Sequence, residues 1–192
     1  MKYNIQLVGV GGQGVLLAST VLGNAAVAEG LQVAMSEVHG MAQRGGSVIN
    51  HTRIGCSFSP LVALGSADLL VALEPGEALR FARYLSPEGV ALVNTRPVLP
   101  ATVTAGLACY PPIPEILSAL REHCRRVVDM DATALASQAG TAQAMNVVML
   151  GALSSQIPLS EDDLLCSLAQ VVPARFLEAN KRAFALGKAE VE

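Results

Sequence analysis

Residues 5–15 read Ile5-Gln6-Leu7-Val8-Gly9-Val10-Gly11-Gly12-Gln13-Gly14-Val15. The apolar run before Gly9 has the length of a buried strand, and the glycines after it allow a sharp turn into a helix that starts near Val15. Gly9, Gly11 and Gly14 stand at the spacing G-x-G-x-x-G, with Gly12 an extra glycine inside it. A turn so bare of side chains lets phosphates approach the backbone. The helix behind it offers free N–H groups and the positive end of its dipole. Two readings share this pattern: an anion cradle for a nucleotide or CoA-like ligand, and a tight strand-to-helix turn with no ligand. Gly9, Gly11, Gly12, Gln13 and Gly14 are the first candidate ligand-binding residues.

Outward from this stretch, strand and helix patterns alternate. Val15–Glu29 is apolar on most sides, as suits a helix covered on both faces, and Gly30 supplies its stop. Leu31–Val38 reads as a second strand, 39–46 as a polar loop with glycines, and Ser47–Ile54 as a third, alternating strand. Asp68–Glu74 is a buried strand pattern. Pro75 opens a helix to about Leu85, Gly89 marks a turn, and Val90–Asn94 is a further strand. Five prolines between positions 97 and 114 imply an extended connection, with a short edge strand around Thr102–Ala108. Pro114–Cys124 reads as a helix and Arg126–Met130 as the last strand. From Ala132 onward the pattern is helical: Ala132–Ala139, Ala142–Gln156, Asp162–Val171 and Ala174–Gly187. The expected fold is α/β and Rossmann-like, a mostly parallel sheet with helices on both faces. Residues 1–131 would form the sheet core and 132–192 a helical C-terminal part of the same single domain.

Composition narrows the function. Of 192 residues, 52% are hydrophobic and 15% charged, against about 25% charged in an average globular chain. So little charge favours a subunit or oligomer that buries surface on another protein. A net charge of −3 argues against a nucleic-acid footprint, which needs a basic face. Cys56, Cys109, Cys124 and Cys166 contain no C-x-x-C pair, so this chain is not expected to hold an iron–sulfur cluster or structural zinc by itself. The uncharged stretches 3–28 and 132–160 are broken by glutamine, asparagine and, in the first, glycine. Neither reads as a membrane span or export signal, and a cytoplasmic protein with reduced thiols is expected.

In a doubly wound sheet ligands sit at the carboxyl ends of the strands. Both glycine loops, 9–14 and 39–46, should fall there. Arg44 is the fixed cation of the second loop and would meet a phosphate or carboxylate, or else face solvent or a subunit. Gly45 and Gly46 would let the backbone close over a ligand or simply bend before the third strand. Glu37, 23 residues after Gly14, stands where a dinucleotide fold keeps its ribose-binding acid. A self-contained NAD- or FAD-binding oxidoreductase is therefore a rival reading, as is a non-catalytic nucleotide-binding homodimer. Asn146, on an otherwise apolar helix, would cap a loop or meet a ligand.

Two separated motifs, Val8-Gly9-Val10-Gly11-Gly12-Gln13-Gly14-Val15 and Ser36-Glu37-Val38-His39-Gly40-Met41-Ala42-Gln43-Arg44-Gly45-Gly46-Ser47-Val48, resemble the gamma-type subunit of the 2-oxoacid:ferredoxin oxidoreductase family, in its indolepyruvate branch. Ala67-Asp68 to Glu74-Pro75 and Asn146 to Ala152 extend the likeness over about residues 3–185. The resemblance implies a non-thiamine subunit, inactive alone, of an enzyme that decarboxylates a 2-oxoacid such as an aryl pyruvate. Electrons would pass to ferredoxin and the acyl group to CoA. It implies a larger alpha subunit carrying thiamine diphosphate and [4Fe-4S] clusters, with ferredoxin met through the complex. It makes CoA the expected ligand near Gly9, Gly11, Gly12, Gln13, Gly14, Glu37, Met41, Arg44, Gly45 and Gly46. No catalytic residue or metal ligand is assigned to this chain, and the isolated chain is a candidate homodimer.

Overall fold

The computed structural model describes residues 2–40, 45–56 and 58–191. Six strands form one sheet in the order β2-β3-β1-β4-β5-β6. They are β1 (Tyr3–Val10), β2 (Val33–His39), β3 (Ser47–Ile54), β4 (Ala67–Ala72), β5 (Leu85–Asn94) and β6 (Arg126–Met130). β1, β4, β5 and β6 are parallel neighbours, whereas β3 runs antiparallel to both β1 and β2. The sheet is thus mixed. β2 and β3, consecutive and antiparallel, form a hairpin, and β3 inserts between β2 and β1.

Alternation along the central strands sorts side chains to two faces. On one, Ile5, Leu7, Leu69, Val71 and Leu92 pack with α1 (Val15–Ala28), α5 (Ala132–Ala139), α6 (Met145–Ser154), α7 (Glu161–Val171) and α8 (Ala174–Ala189). On the other, Val8, Leu70, Ala72, Ala91 and Val93 meet α2 (Pro75–Phe81) and α4 (Ile113–Arg121). α1 and α6 are buried along most of their length, which accounts for their uniformly apolar sequences.

Several boundaries move. The helix opened by Pro75 ends at Phe81 in a short 3-10 turn, Ala82–Tyr84, and Leu85 already belongs to β5. Gly89 lies inside that strand, where the pairing of β4 with β5 slips between Ala67 and Leu69. A Cβ there would stand 2.8 Å from the Ala67 carbonyl oxygen, so the glycine serves close strand approach and not a turn. The expected edge strand at Thr102–Ala108 is absent. A single helical turn, α3 (Ala101–Thr104), follows Pro100 instead, because proline presets the φ of a helix start and withholds a strand donor.

The second face also holds a buried polar residue. His51 of β3 is 5% exposed, accepts from the Val62 N–H through Nδ1 at 3.2 Å, and sits edge-on to Tyr84. Burial pushes its pKa below the ordinary value, so the unfolded chain takes up this proton at higher pH than the folded one. Its contribution is complete above the unfolded pKa of about 6.5 and is lost as pH falls toward the folded value. Thermal stability should therefore drop on acidification from pH 7 to 5. His51→Asn, which keeps an acceptor and cannot titrate, should flatten that slope in a pH series of melting curves.

Candidate functional site

The site is built at the carboxyl end of β1. Gly14 is the N-cap of α1 at φ 84° and Gly12 turns at φ 102°, both in the left-handed region that glycine enters at little cost. No side chain caps α1, and its first turn holds no acid. The first N–H groups of a 14-residue helix are thus left to something outside it.

The turn itself is closed by the chain's own groups. Gln13 Oε1 accepts from the Val10 N–H at 2.7 Å, and its Nε2 donates to the Leu73 carbonyl at 3.0 Å. This carboxamide bridges β1 and the end of β4, the point where the chain's crossovers diverge and a doubly wound fold would open its crevice. Asn94 Nδ2 donates to the same Leu73 oxygen. Asn146, 4% exposed at the start of α6, donates to the Gly14 carbonyl at 3.1 Å. A Cβ on Gly14 would lie 2.3 Å from that amide nitrogen. Asn146 therefore caps the loop, one of the two roles open to it in the sequence.

The hairpin docks on the turn. Gly11 N–H donates to the Gly46 carbonyl at 2.8 Å, and Gly45 N–H, from a residue at φ 76°, donates to the Gly11 carbonyl at 3.3 Å. The two glycine loops thus meet through backbone bonds, which only short side chains permit. Met41 and Arg44, the remaining candidates of that loop, lie outside the described residues.

Glu37 is separated from β1 by β3, two strand spacings or about 10 Å. Glu37 nevertheless lines a cavity of about 260 Å³ together with Gly11, Gly12, Gly14 and His39. Glu37 Oε1 is shielded from solvent and receives no hydrogen bond; His39 Nε2 stands 3.4 Å away, within ion-pair reach only. On the opposite side of the turn is a larger cavity of about 520 Å³. Gly12, Gln13 and Gly14 form one wall, and Arg96, Asn146, Phe176 and Asn180 contribute the others. Arg96 was not among the sequence candidates. Its signal was its place just past the carboxyl end of a strand.

A third cavity, about 730 Å³, lies between α2 and the proline-rich strap 97–111. Its polar groups are engaged with one another. Glu74 Oε1 accepts from the Tyr110 hydroxyl at 2.5 Å and from the Val98 N–H at 3.2 Å, while Ser47 donates to Glu77. Burial and the bond to Glu74 push the Tyr110 phenol above its ordinary pKa. Among the described residues no three His, Cys, Asp or Glu gather as metal ligands, and no helix is long and apolar enough to cross a membrane.

An α/β protein whose glycine turn is filled by its own glutamine, and zipped to its own hairpin, is not laid out as a stand-alone dinucleotide enzyme. Its uncapped helix N-terminus lies between two cavities. The chain belongs to the pyruvate ferredoxin/flavodoxin oxidoreductase family, which matches residues 4–190. It is 41% identical over 189 residues to the indolepyruvate oxidoreductase subunit IorB of Archaeoglobus fulgidus, covering 97% of this chain and 94% of that one. It is 42% identical over 190 residues to the IorB of Thermococcus kodakarensis, again covering 97% and 94%. The gamma subunit of a keto/oxoacid ferredoxin oxidoreductase from Geobacter sulfurreducens superposes with a TM-score of 0.73 at 25% identity, over 98% of both chains. The fold also recurs in a 2-oxoglutarate:ferredoxin oxidoreductase from Magnetococcus marinus. There the TM-score is 0.76 at 21% identity, over 99% of this chain and 31% of that one. The chain is accordingly a small subunit of a 2-oxoacid:ferredoxin oxidoreductase, and the self-contained dinucleotide enzyme is the reading these relatives disfavour.

Proposed function

We propose that this chain is the non-thiamine subunit of an oxidoreductase acting on aryl pyruvates such as indolepyruvate, and that its glycine turn forms one wall of the CoA site. The larger alpha subunit would carry thiamine diphosphate and [4Fe-4S] clusters, which decarboxylate the oxoacid and lead electrons to ferredoxin. The assembly would be cytoplasmic, with residues 1–192 acting as one domain.

The observation that carries the CoA assignment is the uncapped N-terminus of α1, which opens beside a cavity whose rim holds Arg96. A phosphate there would meet helix N–H groups and a guanidinium together, the pairing that anions favour. Arg44 is proposed as a second cation on the hairpin side. Glu37, whose Oε1 receives no hydrogen bond, would accept a ligand N–H or O–H. Gln13, with both ends of its amide engaged, would shape the turn and leave ligand contact to its backbone.

The test is CoA kinetics in the assembled enzyme. Arg96→Ala and Arg44→Ala should each raise the KM for CoA about tenfold, the loss of about 1.4 kcal/mol of charge-assisted bonding, and leave the KM for the oxoacid unchanged. Unaltered CoA kinetics in both variants, with assembly intact, would remove CoA from this wall.

A further inference from the structure

The two edges of the sheet are finished differently. β6 is five residues long and carries Arg126 and Asp129, the latter paired with Arg121 at 3.5 Å. β2 is seven residues, Val33-Ala34-Met35-Ser36-Glu37-Val38-His39, with no Lys, Arg or Pro. Lysine, proline and short length are the usual means of blocking edge-to-edge pairing, and β2 has none of them. Met35 is 43% and Val38 51% exposed. α1, whose Gly23 lies against Met35, has no charged residue, and its Leu16 and Val27 are 57% and 64% exposed. The whole margin is open, extended and nearly uncharged.

Its free backbone groups can be assigned. Gly40 N–H donates to the Ser47 carbonyl and Gly55 N–H to the Gln32 carbonyl, both in line with the β2–β3 register Val33↔Ile54 to His39↔Val48. In an antiparallel ladder bonded pairs alternate. Ala34, Ser36 and Val38 therefore bond inward to β3. Val33, Met35, Glu37 and His39 turn their N–H and C=O groups outward.

We propose that this edge pairs with the same edge of a second copy of the chain, antiparallel about a two-fold axis at Ser36. Val33 then faces His39 of the second copy and Met35 faces Glu37, so every outward group is matched, in about eight hydrogen bonds. Ala34 and Val38 meet on the other side of the sheet. The strand's only charged or titratable groups, Glu37 and His39, fall opposite apolar side chains. Of the two registers one residue pair away, that centred on Glu37 would set the two Glu37 carboxylates against each other, a like-charge contact, and that centred on Met35 would leave His39 opposite Leu31, outside the strand. The product is a continuous twelve-stranded sheet with an isologous interface.

Sedimentation equilibrium of the full chain should give twice the 19.9 kDa chain mass. Met35→Pro removes an outward N–H and the side chain's contact with α1 but no bond of the β2–β3 ladder, so it should keep the helical and strand spectrum and raise the dimer dissociation constant at least about tenfold. The axis is tested separately by Ser36→Cys in a Cys109→Ser, Cys166→Ser background. Cα atoms of facing residues at a non-bonded antiparallel pair lie about 4.5 Å apart, within disulfide range. Mild oxidation should cross-link this variant, and Ala34→Cys in the same background should resist. A monomeric wild-type chain, a Met35→Pro dimer of unchanged affinity, or a dimer that Ser36→Cys fails to link would each overturn the proposal.

Discussion

Gly151→Ala should destabilise the chain by about 3 kcal/mol, lowering the melting temperature by roughly 6–12 °C. α6 and α8 cross with their backbones in contact. A Cβ at Gly151 would stand 1.9 Å from the Phe184 carbonyl oxygen, and one at Gly187 would stand 1.8 Å from that of Val148. The obstructing atoms are main chain, so no rotamer change makes room and α8 must move away from the sheet. Phe184, 1% exposed, would leave the core with it. Phe176 and Asn180 would shift in the wall of the Arg96 cavity. Thermal denaturation checks the first effect, and a melting point within about 2 °C of wild type would show that the crossing tolerates a methyl group.

Glu74→Ala is expected to cost a similar amount for a different reason. Glu74 is 2% exposed at the N-cap of α2. Its Oε2 accepts from the Glu77 N–H at 2.9 Å, and its Oε1 accepts from the Tyr110 hydroxyl and the Val98 N–H. The truncation removes a helix cap, worth about 1 kcal/mol, and leaves two strap donors without their acceptor, at about 1 kcal/mol or more each. The total expected is about 3 kcal/mol, with amide exchange accelerated across 97–111. Tyr110→Phe, which loses the hydroxyl's bond to Glu74 and the one it accepts from the Gly76 N–H but leaves the Val98 bond and the helix cap in place, should lose less, about 1–2 kcal/mol. Unchanged exchange in the strap of the Glu74→Ala variant would mean that something other than this carboxylate holds it.

Much of the fold was legible because it is local. Ser47–Ile54, Arg126–Met130 and Ala132–Ala139 coincide with the elements read from alternation and periodicity. The start of α1 at Val15 and the Pro75 helix start follow from single residues with restricted or extended backbone freedom. The strap failed as a strand because apolar residues at 102–108 carry no period that distinguishes one helical turn from an edge strand. Leu85 continues a helical pattern in the sequence, and only its pairing with Ala67 draws it into the sheet.

The candidate site divides along the same line. Glycines at 11, 12, 14, 45 and 46 announce tight backbone, and resemblance set them together in one family. What each group touches was beyond reach of the chain order. Gln13 fills the crevice, Asn146 caps Gly14 from 132 residues away, and Arg96 joins the rim from the end of β5. Glu37 sits at a strand end as a ribose-binding acid would, but β3 has entered between its strand and β1.

Chain order alone specifies the strand–turn–helix at Gly9–Gly14, the alternation of elements and the family. Those depend on backbone freedom, side-chain period and motif spacing, which are written along the chain. Tertiary structure alone decided the antiparallel place of β3, the closure of the turn by Gln13 and the main-chain crossing at Gly151 and Gly187. These are contacts between residues distant in sequence, where the partner, and not the residue type, sets the energy.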